Sequence, residues 1–185
     1  ASATAHVRCR GAGAGRRRTR AGSGWRDAAG DRPDRAVPAD AAVAGDVATE
    51  GGWPWYGEAL CAHFTNHSAI VEAAIDVEDV RNPSTTTLPQ RWVRKDEWYN
   101  FVASPRGKVR VLASLDETTY KGGTMSDDHP VAWCKQIGRG RVWYTALGHT
   151  EASFAEPLFL QHLLGGIQVA AGSKPASFQP NSATR

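Results

Sequence analysis

Two histidines, His129 and His149, bracket the run HPVAWCKQIGRGRVWYTALGHT. Histidine is the side chain whose unperturbed titration falls near neutral pH, so each is a candidate to move a proton or polarise an oxygen. Carboxylates that such imidazoles need as partners stand at Asp96-Glu97 and Asp116-Glu117. Adjacent residues of a strand point to opposite faces, so one member of the Asp96-Glu97 pair is expected to face a pocket. Glu97 is the candidate, as acid/base or as acceptor for hydroxyl groups. Glu117 with Tyr120 is a second candidate pair for holding a substrate. Trp53, Trp55 and Tyr56 offer aromatic faces that pack on the C–H surface of a sugar ring. His63 and His67 have the i, i+4 spacing of metal ligands on a helix but lack the glutamate of a zinc-protease motif, so no metal or other cofactor is expected. Cys134 falls inside a strand-like run rather than a strand-turn-helix elbow, which makes it a packing residue and not a nucleophile. Cys9, Cys61 and Cys134 are odd in number and widely separated, which argues against a disulfide framework.

The elements that must position these groups are partly readable. Residues 131–136 and 141–147 read as strands flanking Gly138-Arg139-Gly140, a turn in which glycine supplies the positive φ of a tight hairpin. The second strand stops at Gly148-His149-Thr150, and in open α/β sheets ligands bind outside strand ends. Pro157 suits a first helical position, and Phe159, Leu163 and Ile167, with Leu160 and Leu164 beside them, predict a core-facing helix. Gly165-Gly166 inside that helix costs roughly 1 kcal/mol per residue against alanine, which points to close approach of a neighbour before Gly172 ends it. Upstream, residues 54–64 read as a helix carrying Tyr56, Leu60 and Phe64 in one stripe. Val71, Ala73, Ile75 and Val77 alternate with acidic residues as in a half-exposed strand. Residues 97–101 read as a short aromatic strand and 109–115 as another, whose end brings Asp116 and Glu117 toward the sheet edge expected to hold His149.

HPVAWC (129–134), GRVWYTALGHT (140–150) and HLLGGIQVAAG (162–172) resemble blocks of the ThuA-like, or trehalose-utilisation, family. WPWYG (53–57), DEWYNF (96–101) and LDETTYKGGTM (115–125) resemble its other blocks, in family order. The resemblance implies an α/β, flavodoxin-like three-layer sandwich akin to class I glutamine amidotransferases, here incomplete and ending in a β-hairpin and helix. It also implies a small-molecule sugar, trehalose or a related disaccharide, as ligand. Hydrolase- or isomerase-like chemistry would use His149, His129 and Glu97, with a sugar oxidoreductase as partner. Amidotransferase activity is not expected, because no cysteine occupies the elbow. A non-catalytic carbohydrate-binding or accessory domain, or an inactive fragment, is the alternative. The family's early glycine-x-histidine turn has no counterpart, since AGDVATE (44–50) contains no histidine.

Composition divides the chain near residue 50. The first 50 residues contain no Leu, Ile, Phe, Tyr, Met, Lys, Asn or Gln, and hold nine Arg against six acidic residues. Such a segment cannot bury enough side chain to offset its ordering entropy. The same residue set arises when GC-rich DNA is read out of frame, so residues 1–47 are expected to be a disordered, frameshifted start. A partial domain then spans 48–172, and 173–185 forms a flexible Ser/Pro-rich tail. The Arg16-Arg17-Arg18-Thr19-Arg20 cluster lies in that first segment, and the rest of the chain is charge-balanced, so no nucleic-acid partner is expected. No run approaches the ~20 apolar residues of a membrane span, and no apolar signal core is present. The expected setting is cytoplasmic, without a membrane partner.

Overall fold

The computed structural model of the chain describes residues 54–182. Trp53, Cys9 and the expected disordered segment 1–47 lie outside the described residues. In chain order the elements are α1 (Pro54–Leu60), β1 (Phe64–His67), β2 (Val71–Val77), β3 (Arg91–Asp96), β4 (Tyr99–Phe101), β5 (Arg110–Asp116), β6 (Pro130–Ile137), β7 (Gly140–Thr145) and α2 (Pro157–Ala171). Short 3-10 turns cover Glu117–Thr119 and Glu151–Ala155. The fold is α/β, sheet with helix. Among the described residues β1 pairs with β4, while the other strands form a five-stranded sheet ordered β3-β2-β5-β6-β7, every ladder antiparallel.

The hairpin β6–β7 closes through the two-residue turn Gly138-Arg139, with Ile137 opposite Gly140 and Gly138 at φ 57°. Trp133 and Tyr144 sit opposite each other with ring centroids 4.1 Å apart, so the central pair of the hairpin is also a packed aromatic pair. β5 is buried along its middle, where Val111, Leu112, Ala113 and Leu115 serve both faces of the sheet. Cys134 is fully buried, and burial pushes its thiol up to about 12, the environment of a packing residue. Cys134 is a free thiol, and Cys61 is buried.

Three expectations change. The first helix ends at Leu60, short of residue 64, because Cys61 adopts φ 60° and its N–H closes on the carbonyl of Gly57 at 2.9 Å. His67 therefore lies on a strand, and the helical spacing of His63 and His67 does not exist in the fold. The second change is β3, whose buried residues are Trp92, Arg94 and Asp96; a polar inward face hides a strand from a hydrophobic-alternation reading. Third, α2 presents Phe159, His162, Gly165, Gly166, Val169 and Ala170 to the interior, whereas Leu160, Leu164 and Ile167 face outward. The two glycines explain the rotation. A Cβ on Gly165 would stand 2.3 Å from the Pro83 carbonyl oxygen, and one on Gly166 2.3 Å from the Trp143 ring. The close approach read from the glycine pair is thus real, and it turns the larger side chains away from the seam.

Gly172 closes α2 at φ 73°, with its N–H on Val169 and the N–H of Ser173 on Gln168. Beyond it, residues 173–182 form no helix or strand but are docked. Phe178 packs against the core, and the Asn181 amide bonds both the N–H (2.7 Å) and the carbonyl (3.0 Å) of Val111.

Candidate functional site

β3 and β7 are opposite edges of the five-stranded sheet, yet the segment after β7 meets the end of β3. The sheet is curled, and the curl brings distant stretches of sequence to one place. β3 ends in Asp96, fully buried; Glu97 follows, and Tyr99 opens β4. β7 gives way to Gly148 at φ 100° and then His149. A Cβ at Gly148 would lie 2.5 Å from the Phe159 ring, so glycine is needed there for both conformation and space.

Glu97 is the centre of the arrangement. One carboxylate oxygen lies 2.9 Å from Nδ1 of His67 and the other 3.1 Å from Nδ1 of His149. Glu97 itself is 9% exposed, while the two imidazole side chains are 50% and 42% exposed. Nδ1 of His67 also reaches the Ser68 carbonyl at 2.9 Å, and the Tyr99 hydroxyl stands 3.2 Å from Nδ1 of His149. The Ser68 carbonyl can only accept, so Nδ1 of His67 is the donating nitrogen, while Nδ1 of His149 lies between the Glu97 carboxylate and the Tyr99 hydroxyl. Nε2 of His67 is then its lone-pair nitrogen. Burial, followed by the charges of Glu97 and Asp96, raises the Tyr99 phenol above its ordinary range, so it is a hydrogen-bonding hydroxyl at neutral pH.

His129 occupies a different environment. It is fully buried, with Nε2 donating to the Tyr99 carbonyl at 2.8 Å and Nδ1 2.7 Å from Glu117. Glu117 also accepts from the backbone N–H groups of Met125 (2.8 Å) and Ser126 (3.0 Å). The Tyr120 hydroxyl approaches Nδ1 of His129 at 3.5 Å, and burial with the Glu117 charge raises its phenol. Glu117 and Tyr120 thus gather around His129, behind Tyr99, rather than around His149. Asp116 turns aside to pair with Arg91 at 2.7 Å; hydrogen bonds from Thr118 and Arg91 hold its carboxyl down at about 2. Trp55 is 38% exposed on α1, and Tyr56 faces the core. The helix end is tied to β6, where Trp133 donates to the Leu60 carbonyl at 3.0 Å. Among the described residues, no group of three His, Cys, Asp or Glu side chains has an arrangement that could hold a metal ion.

The ordered carboxylate–imidazole group at the meeting of β3, β4 and β7 is carried by the sequence stretch that a family model for trehalose utilisation, ThuA, matches over residues 41–170. The chain belongs to the ThuA family. Its fold is similar to that of a ThuA-like protein from Bacteroides uniformis ATCC 8492, with a TM-score of 0.58 and 25% identity over 72% of this chain. A ThuA-like protein from Parabacteroides merdae ATCC 43184 gives a TM-score of 0.53 and 21% identity over 68% of the chain. The chain spans 57% of the length of each of these two structures. No curated protein matches the chain.

In this ThuA-family chain, sequence reading singled out Glu97 and His149 separately, and the fold brings them together. In the sequence His67 reads as a helical metal ligand, and Tyr99 as one residue of the short aromatic strand 97–101. The signal for Tyr99 was its place two residues after Glu97, on the same side of an extended chain. For His67 no local signal exists, because its pairing opposite Tyr99 is set by the β1–β4 ladder. Among the described residues no helix is long and apolar enough to cross a membrane.

Proposed function

We propose that this chain binds a neutral disaccharide, trehalose or an oxidised derivative, at the Glu97 group, and that His149 exchanges a proton with a sugar oxygen there. The observation that carries the reading is the Glu97 carboxylate holding two exposed imidazoles through Nδ1. A carboxylate facing Nδ1 favours the Nδ1–H tautomer and leaves the Nε2 lone pair free to act as a general base aimed at a hydroxyl. His67 and the Tyr99 hydroxyl supply hydrogen bonds beside it, and the exposed Trp55 offers an apolar face for the ring. His129, Glu117 and Tyr120 serve as the rear support, holding Tyr99 through its carbonyl. The chemistry is hydrolase- or isomerase-like, with a sugar oxidoreductase as the source of the oxidised substrate.

His149→Ala tests this. With purified full chain, calorimetric titration against trehalose and its oxidised derivative is combined with a product assay by chromatography. The expected result is sugar binding retained within a few-fold and turnover lost by on the order of 100-fold or more. Binding without turnover in either protein would replace the enzyme by a carbohydrate-binding module, and absence of binding to both sugars would remove the reading.

A further inference from the structure

The histidine-bearing segment after β7 is held by a buried ion pair whose arrangement goes beyond packing. Asp96 is fully buried and its carboxylate accepts three backbone N–H groups: Gly148 at 2.7 Å, His149 at 3.1 Å and Glu97 at 3.0 Å. One carboxylate therefore fixes the main chain of both partners in the Glu97–His149 contact. Its charge is met by Arg94 Nη1, and the rest of that guanidinium continues along the same segment. Nη2 donates to the Ser153 hydroxyl at 2.8 Å and Nε to Glu156 at 3.0 Å, while Trp92 donates to the other Glu156 oxygen at 3.1 Å. The guanidinium lies 5.1 Å from the Trp92 ring centre and 5.0 Å from that of Phe159, with its side chain 2% exposed. Residues 148–156 are gripped at both ends by two side chains from one strand.

We infer that Asp96 and Arg94 are positioning residues that set the Glu97–His149 geometry and with it the Nδ1–H tautomer of His149. Burying two charges carries a large desolvation cost, and a hydrophobic pair would fill the same space without it. The cost is offset here because every acceptor of Asp96 and every arm of Arg94 meets a partner, and those partners are the backbone of the site and the turn behind it. Asp96→Asn keeps the volume but replaces one acceptor oxygen by an NH2, which opposes the N–H groups of His149 and Glu97 in the place of Oδ1, or the Gly148 N–H and Arg94 in the place of Oδ2. Arg94→Lys keeps a positive charge for Asp96 and gives up the planar fork that reaches Ser153 and Glu156. This inference rests on the proposed site, and its readout separates the two.

The test is imidazole 15N NMR on the full-length chain, which reports the tautomer of each histidine without any ligand, followed by titration with trehalose. In the wild type His149 is expected in the Nδ1–H form. Asp96→Asn is expected to shift it to a majority Nε2–H form while His162 keeps its signal, and to weaken sugar binding or turnover by about 10- to 100-fold. Arg94→Lys is expected to give an intermediate tautomer mixture. Should Asp96→Asn fail to fold, Arg94→Lys, which gives up the arms to Ser153 and Glu156, and Ser153→Ala, which gives up one of them, carry the measurement. An unchanged His149 tautomer in every variant that folds, with only the melting temperature lowered, overturns the positioning role. A tautomer that shifts as expected in a chain that trehalose does not perturb upholds the positioning role and removes the sugar reading instead.

Discussion

At the residue scale the site turns on what each polar atom is given to bond. Glu97 and Asp96 are neighbours with opposite assignments: Asp96 is buried among backbone donors, and Glu97 faces two imidazoles. The period-two alternation of an extended chain has them facing opposite ways, and the fold sets which of the two meets the imidazoles. Tyr99 was not legible, because it has three roles and only one leaves a local mark. Its hydroxyl meets His149, its ring packs edge-on against Phe64 at 5.3 Å, and its carbonyl holds His129. Tyr99→Phe removes the first role and leaves the others. The expected outcome is a stability change within about 1 kcal/mol by urea denaturation, with sugar affinity or turnover reduced on the order of 10-fold. A loss of several kcal/mol instead would mean that the hydroxyl belongs to the core.

At the element scale the readable parts are those whose sequence pattern coincides with their burial. The β6–β7 hairpin and β5 were legible because a glycine turn and long apolar runs describe strands covered on both faces. β3 was hidden by its inward Trp92, Arg94 and Asp96, and α2 was placed a partial turn out of register. A helix normally buries its largest apolar stripe, but α2 approaches Pro83 and Trp143 so closely that only glycine fits the seam. The consequence is testable by a pair of alanine substitutions. Gly166→Ala, in spite of alanine's better helix propensity, is expected to destabilise by about 1–3 kcal/mol because its methyl group overlaps the Trp143 ring. Leu164→Ala, on the outward face, is expected to stay within about 0.5 kcal/mol. Thermal melts of the two variants against the parent decide the orientation of the helix, and the reverse ranking would restore the leucine-inward reading.

At the scale of the whole molecule, curling brings the two sheet edges together, and the contacts that hold them are long in sequence. Arg94 reaches Glu156 and Trp92 packs near His162, pairings that no local pattern encodes. His162 couples this closure to pH. It is fully buried, with Nδ1 donating to the Ser84 carbonyl at 2.8 Å and Nε2 accepting from the Thr145 hydroxyl at 3.0 Å, a pattern that requires the neutral ring. Burial lowers its pKa from 6.5 to about 4, with the nearby Arg94 charge acting in the same direction. The sign follows directly. Between pH 6.5 and about 4 the unfolded chain binds a proton that the folded chain does not, so stability falls as pH falls through that window and levels off below it. The full loss is about 3 kcal/mol. Asp116 adds a separate acid limb, since its carboxyl, lowered from 3.8 to about 2, contributes stability that is lost only as pH drops through that lower range. Urea unfolding at half-unit intervals from pH 7.5 to 2 should therefore show two descents. His162→Gln, whose amide can bond Ser84 and Thr145 without titrating, should flatten the upper one and leave the lower in place. An upper descent that survives this substitution would place the acid sensitivity elsewhere than at the seam between α2 and the sheet.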